Sequence, residues 1–351
     1  MDALAPQLLR IAPDSGRTGT TPREVIFRFD EVVSERPAGA TSLEALFLIS
    51  PRGGSPRVDW NRDEVAVRPQ RGWRSNTTYT VTLLPGVSDL RGNVRTSGAT
   101  TVFSTGVAIP QSRISGTVFN WAAGSVAPRA LVEATADTDT TLVFVTLADS
   151  AGRFAFPHLA PGAYLVRGVL DENSNRGLDP RELWDSATVV LADTARLELL
   201  AFVHDSAGAR LTDVTVRDSV TLIINFDTPI SIAALPPRTS FTITASDSSR
   251  VPVLRVDPQP TPVDSVTARG ARPSRPVPSR TLILALGAPV RAGTTYRVRA
   301  ADIRNLSGVV RSSEQQLSIP VPPPPPPRPP ATTPVRSRPD SARAVPLPGR
   351  R

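Results

Sequence analysis

One stretch of the chain gathers oxygen ligands at the spacing a hard cation needs. In DENSNRGLDPRE, residues 171–182, Asp171, Asn173, Asn175, Asp179 and Glu182 stand at relative positions 1, 3, 5, 9 and 12, the side-chain ligand positions of an EF-hand-type calcium loop. Calcium takes about six to eight oxygens, and alternate residues of a tight loop can all turn toward one ion. These five residues are the candidate metal site, with Ca2+ as cofactor at an extracellular-grade affinity of about 10⁻⁴ to 10⁻³ M. Two features pull the other way. Gly177 stands at position 7 instead of 6, where the sharp turn falls, and the preceding residues read as strand rather than helix. The alternative is a polar turn whose Asx side chains bond to nearby backbone amides.

Other chemistry-bearing residues read as structural. Asp30 and Glu31 are neighbours in a strand pattern, so they face opposite sides of a sheet and cannot act as a pair. Asp137, Asp139 and Asp149 flank a DTDTT segment that reads as a solvated hairpin loop. Trp60 sits in a strand motif and reads as core, whereas Trp121 and Trp184 are the indoles to test for stacking on sugars. His158, beside Pro157 in a turn, and His204, at a junction between domains, read as satisfied surface imidazoles. Zero Cys and two His remove disulfides, thiolate zinc and cysteine nucleophiles. No nucleophile elbow, phosphate-binding glycine loop or zinc signature is present, and the chain reads as a non-enzyme.

The elements that position these residues follow from length and composition. At about 100–200 residues per domain, 351 residues allow two or three domains. The net charge of +8 invites a nucleic-acid reading, but residues 319–351 carry six Arg against Asp340, and residues 269–280 carry four Arg and no acid. Little net charge is left elsewhere, so no basic stripe tracks a phosphate backbone and nucleic acid is not an expected partner. All 40 basic residues are Arg, a usage attributed to nucleotide bias in the source genome. No apolar run approaches the roughly 20 residues of a transmembrane helix. MDALAPQLLRIAPDSG lacks the charged and apolar regions of a signal peptide, so the expectation is either a cytoplasmic protein or a leader missing upstream of a misplaced Met1.

Strand periodicity dominates. Val25–Phe29 and Thr78–Leu83 alternate apolar and polar between turn residues, and Thr41–Ile49 reads as a short helix or a strand. VIFRFDEVV at Val25 recurs as LIINFDTPI at Leu222, and NTTYTVTL at Asn76 recurs as GTTYRVRA at Gly293. The Phe29–Phe226 offset is 197 residues and the Tyr79–Tyr296 offset 217. The second copy therefore carries an insertion, assigned to the Pro/Arg-rich segment 257–279 and expected to be a long mobile loop. From Pro320 onward, thirteen prolines in 32 residues predict a disordered or polyproline II tail. Its readings are a spacer, a recognition segment for a partner, or an arm that touches an anionic envelope polymer.

With these motifs in order, the first unit resembles the SbsA-type bacterial Ig-like domain: APQLLRIAPDSG at Ala5, FDE at Phe29, ISP at Ile49, VDW at Val58, NTTYTVTL, DLRGN at Asp89 and FSTG at Phe103. The second copy keeps the FD and TTY strands and lacks ISP, the Trp and FSTG. Between them, ISGTVF at Ile114, ALVEATA at Ala130, DSAGRFAF at Asp149 and LAPGAYLVRGVLD at Leu159 resemble the carboxypeptidase-regulatory-like, transthyretin-like domain. That resemblance implies a seven-stranded β-sandwich. A Lys-to-Asn isopeptide bond, as in surface-adhesin B-type domains, is chemically impossible without Lys.

The expected architecture is all-β, with three sandwich modules in tandem: an Ig-like domain at 1–108, a transthyretin-like sandwich at 112–203, and a degenerate Ig-like domain at 207–319. A Pro-rich tail at 320–351 follows. The resemblances imply a non-enzymatic structural or binding protein of the bacterial envelope, secreted or lipid-anchored, whose partner is an envelope polymer, a glycan or a protein. The alternative is an accessory carbohydrate- or peptide-binding module of a secreted hydrolase system.

Overall fold

The computed structural model describes residues 3–259 and 271–321. Expectations for the tail beyond Val321 and for the middle of the Pro/Arg-rich insertion lie outside the described residues. Among the described residues every regular element is a strand apart from two single-turn 3-10 segments. No helix there is long and apolar enough to cross a membrane.

Strands β1 (Leu8–Ala12), β2 (Val25–Phe29), β3 (Phe47–Ser50), β4 (Pro56–Asn61), β5 (Glu64–Pro69), β6 (Thr78–Leu83) and β7 (Ala99–Ser104) form two facing sheets. Their orders are β1-β2-β5-β4 and β3-β6-β7. The alternation read in β2 and β6 puts Phe27, Phe29, Val81 and Leu83 into the core with Val65, Val67, Phe47 and Phe103. Phe27 and Phe47 meet across the sheets at 5.2 Å, and each such burial contributes roughly 1.5–3 kcal/mol. The ambiguous stretch before β3 is both things in turn, a 3-10 turn at Glu44–Leu46 and then a strand. Two expectations fail here. Trp60 lies on edge strand β4 at 38% exposure, its indole N–H donating to the Val33 carbonyl at 2.9 Å, because an edge strand presents one face to water. Asp30 and Glu31 follow the end of β2, where the Asp30 carboxylate accepts the Gln7 N–H at 2.7 Å.

The middle unit holds β8 (Ser112–Asn120), β9 (Ser125–Val126), β10 (Leu131–Ala136), β11 (Asp139–Leu147), β12 (Arg153–Leu159), β13 (Gly162–Val169), β14 (Leu183–Leu191) and β15 (Thr194–Val203). Sheet β11-β10-β13-β14 joins sheet β15-β8-β12 only where Leu183 and Trp184 pair with Val203 and Phe202. The short β9, paired to β8, is an eighth strand beyond the expected seven. His158 lies within β12 rather than in a turn, its Nδ1 3.0 Å from the Pro110 carbonyl.

Next come β16 (Leu211–Asp218), β17 (Thr221–Ile230), β18 (Phe241–Ala245), β19 (Arg250–Val251), β20 (Val253–Pro258), β21 (Ser279–Leu286), β22 (Thr295–Arg304) and β23 (Val310–Ser318). Their orders, β16-β17-β21-β20 and β19-β18-β22-β23, match the first unit strand for strand apart from the added β19. The matching tyrosines make the same bond: Tyr79 Oη accepts the Arg74 N–H at 2.7 Å, and Tyr296 Oη the Arg291 N–H at 2.8 Å. The insertion is narrower than 257–279, since β20 runs to Pro258 and β21 begins at Ser279. Its last residues do not project freely: Ser274 donates to the Glu198 carboxylate, and the Pro276 carbonyl accepts the Trp121 indole N–H at 3.1 Å.

The three principal buried clusters share no residue. Removing one core side chain should therefore destabilise one unit. Phe27→Ala is expected to cost about 3–5 kcal/mol and Leu282→Ala about 2–5 kcal/mol, each in a different calorimetric transition. A single transition that both substitutions shift as a whole, with equal calorimetric and van't Hoff enthalpies, is the contrary outcome.

Candidate functional site

The loop between β13 and β14 does bring the five oxygen-bearing residues of the sequence motif into one network. The Asp171 carboxylate accepts the N–H groups of Asn175 at 3.1 Å and Arg176 at 2.8 Å. Asp179 Oδ2 accepts from the side-chain amides of Asn173 at 2.6 Å and Asn175 at 2.9 Å. Glu182, buried at 6% exposure, takes the N–H of Glu172 on one oxygen and that of Asp179 on the other. Among the described residues, no three acidic or His side chains are grouped closely enough to hold a metal by themselves. The Asn oxygens would have to complete any cation site.

The sharp turn at position 6 exists, but Arg176 makes it. Its φ is +59°, while Gly177 is absent from the positive-φ glycines. A left-handed non-glycine residue costs roughly 1–2 kcal/mol, and what offsets it lies in the preceding unit. The Arg176 guanidinium donates to the carbonyls of Phe47 at 2.6 Å and Ala45 at 2.5 Å. Burial pulls its pKa below the ordinary value, opposed by the nearby Asp171 carboxylate. In return, Arg52 donates to the Arg176 carbonyl at 2.7 Å and pairs with Glu133, which also faces Arg167.

Backbone bonds join the same two units. Arg52 N–H donates to the Val143 carbonyl at 2.7 Å and Val145 N–H to Ser50 Oγ at 2.9 Å, so the end of β3 docks on the edge of β11. Asp139, read as part of a solvated loop, sits at the start of β11 and meets Arg74 at 2.5 Å. The Thr141 hydroxyl and N–H, together with Arg74, hold its carboxyl below the usual range. Arg52, Arg74, Glu133 and Arg176 gave no local signal, because the partners they meet across the two units lie between 65 and 131 residues away in sequence.

On the other side of the loop, Pro180, Arg181 and Leu183 form one wall of a cleft of about 790 Å³ between the middle and C-terminal sheets. Phe202 and His204 of the middle unit and Thr228, Arg280 and Leu306 of the C-terminal unit also line it. The imidazole of His204 stacks on Trp184 at 3.8 Å and on Phe202 at 4.2 Å. Trp121 is buried against Phe202, with its N–H bound to Pro276. The two indoles expected to stack on sugars are thus engaged within the protein, Trp184 by His204 and Trp121 by Phe202 and Pro276. Burial lowers the pKa of His204, opposed by its bond to the Phe202 carbonyl and by Asp185.

Comparison with known proteins finds one family model, bacterial Ig-like domain, matching residues 2–105. No curated protein matches. Among solved structures, the N-terminal part of the bacterial S-layer protein SbsC aligns at 18% identity and TM-score 0.24, covering 32% of this chain and 24% of that one. The chain thus spans about a quarter of that structure's length. An L,D-transpeptidase from Mycobacterium smegmatis aligns at 15% identity and TM-score 0.21, over 56% of this chain and 76% of that one. A DUF3823 family protein from Parabacteroides merdae ATCC 43184 aligns at 16% identity and TM-score 0.21, over 60% of this chain and 100% of that one.

Two substitutions at Arg176 separate its roles. Arg176→Ala keeps the left-handed strain and orphans the Ala45 and Phe47 carbonyls, and is expected to destabilise by about 1–3 kcal/mol for each acceptor left buried without a donor. Arg176→Gly relieves the strain and loses the same bonds, so it should be the milder variant by roughly 1–2 kcal/mol. Urea unfolding of both checks the order. Equal stability of Arg176→Ala and the parent would remove the latch.

Proposed function

We propose that the chain is a non-enzymatic structural or binding protein of the bacterial cell envelope, built from two copies of an Ig-like unit around a transthyretin-like one. The observation that carries this reading is how the chain uses its charged groups. Glu133, Asp139, Glu198, Arg52, Arg74 and Arg176 all tie one β-sandwich to the next instead of converging on a point where a reacting atom could sit. Interlocked sandwiches resist displacement of one unit against another, which suits a spacer or a display scaffold. The match of residues 2–105 to the bacterial Ig-like domain and the C-terminal sheets' strand order, the same apart from the added β19, support the same reading. Fractionation of source cells with an antibody to residues 3–259 tests it: enrichment in the envelope or the medium is expected, and recovery with the soluble cytoplasmic fraction is the opposite result.

A second reading concerns the β13–β14 loop as a calcium site. In its favour, Asp171, Asn173, Asn175, Asp179 and Glu182 lie in a single hydrogen-bonded coil with left-handed residues at Ser174 and Arg176. Their oxygens are the hard donors that Ca2+ prefers, and a bound ion would neutralise three carboxylates and stiffen the turn that carries Arg176. Calcium at ten times Kd should then add about 1.4 kcal/mol to the stability of the middle unit, and Asp171→Ala should abolish that increment. If 10 mM calcium, about ten times the weak end of extracellular-grade affinity, moves no transition, the loop is a polar turn.

A further inference from the structure

Two solvent-facing guanidiniums and one buried hydroxyl without a partner lie along the cleft between the middle and C-terminal sheets. Arg181, from the β13–β14 loop, and Arg280, on β21, both line it from exposed positions, and neither side chain makes a hydrogen bond or ion pair with any described residue. Thr228 contributes a buried hydroxyl oxygen with no partner. A buried hydroxyl left alone costs about 1–3 kcal/mol, so a ligand that satisfied it would recover that cost. His204 Nδ1 lies 3.2 Å from the Phe202 carbonyl. A carbonyl only accepts, so Nδ1 carries the proton, and Nε2 of the neutral ring is a bare acceptor. Trp184 and Phe202 stack on the ring's faces, so a ligand would meet it at the edge.

These groups, together with the Asp205 carboxylate that also lines the cleft and is held by the Ala207 N–H, define what fits, with the two guanidiniums in excess by one charge. Two guanidiniums ask for a carboxylate or phosphate, which they bind through directed N–H pairs. The imidazole edge and the Thr228 oxygen ask for hydroxyl donors. Leu183, Leu306 and Pro229 offer apolar wall to C–H surfaces. A volume of about 790 Å³ falls within the range of small-molecule sites. An acidic sugar carries carboxylate, hydroxyls and apolar ring faces in one residue. An extended peptide would instead seek a run of main-chain groups on an open strand edge, whereas the acceptors here are scattered side-chain atoms.

We propose that this cleft binds a short stretch of an acidic polysaccharide, with Arg181 and Arg280 on its carboxylates and His204 and Thr228 on its hydroxyls. The inference rests on the reading of the chain as an envelope binding protein and names the ligand class of that reading. Because Arg181 and Arg280 belong to different β-sandwiches, the bound sugar would also bridge the middle and C-terminal units.

Isothermal titration of the full chain with tetragalacturonate tests the proposal. Saturable one-site binding is expected. Arg181→Gln and Arg280→Gln should each weaken it about tenfold, as for loss of a charge-assisted hydrogen bond, and Thr228→Val severalfold, all with unchanged melting behaviour. Neutral maltotetraose should bind at least tenfold more weakly. The absence of binding, or equal affinity for maltotetraose, overturns the proposal. Equally tight binding of inorganic phosphate or tetraglutamate, or indifference to both arginine variants, overturns it as well. If tetragalacturonate fails to bind while fractionation still finds the protein in the envelope, only the cleft assignment falls. A cytoplasmic location would remove the envelope reading whatever the titration gives.

Discussion

A guanidinium taken out of water has to be met by acceptors, and Arg176 is met by the carbonyls of Ala45, within the 3-10 turn, and Phe47, the first residue of β3 of the preceding unit. The rest of the junction follows from that contact. It gives the loop a reason to hold a left-handed Arg, it fixes the Arg176 carbonyl where Arg52 can reach it, and it brings Ser50 and Arg52 alongside Val143 and Val145. Each bond is modest in net terms, about 1 kcal/mol or somewhat more when charged. Breaking one exposes the desolvated partners of the others, so the junction should behave as a set rather than a sum.

The C-terminal junction is built on a different principle. Phe119, Trp121 and Leu200 form a small buried cluster at the end of the middle unit, against which Leu306 of the β22–β23 turn packs. Asn305 beside it donates to the Asp205 carbonyl at 2.9 Å. Within residues 271–278, the Pro276 carbonyl accepts the Trp121 indole N–H at 3.1 Å. An apolar plug with a strap covers part of the interface, and the remaining gap between the two sandwiches is the cleft. The same segment, which the sequence marks only as a Pro/Arg-rich insertion, contributes Pro278 to the lining of that cleft.

What was legible in the sequence was local. Alternation over five or six residues gave β2 and β6 their exact limits, since a period of two decides which face of a sheet each side chain takes. The repeated FD and TTY anchors fall on β2 and β17 and on β6 and β22, strands that hold the same positions in their sheets. The loop motif marked residues that do come together. Periodicity cannot tell an edge strand from a central one, which is why Trp60 read as core. Nor can it see partners more than a hundred residues away, so Arg52 and Arg176 looked like ordinary surface charge. Trp121 and Trp184 read as free platforms because nothing near them in sequence reveals Pro276 or His204.

The exclusive use of Arg acquires a physical consequence at these junctions, whatever its origin in the genome. Arg52 reaches both a carbonyl and a carboxylate, Arg74 reaches the Thr141 hydroxyl and the Asp139 carboxylate, and Arg176 spans two carbonyls two residues apart. Each uses the two terminal nitrogens of one planar fork, held at a fixed angle by the guanidinium itself. An ammonium group is a compact, strongly hydrated point charge with no such preset fork, and it would have to shed more water to enter the same space. A Lys at any of the three positions would keep the charge and lose the geometry. The latches between the first two sandwiches therefore depend on guanidinium shape as much as on its charge.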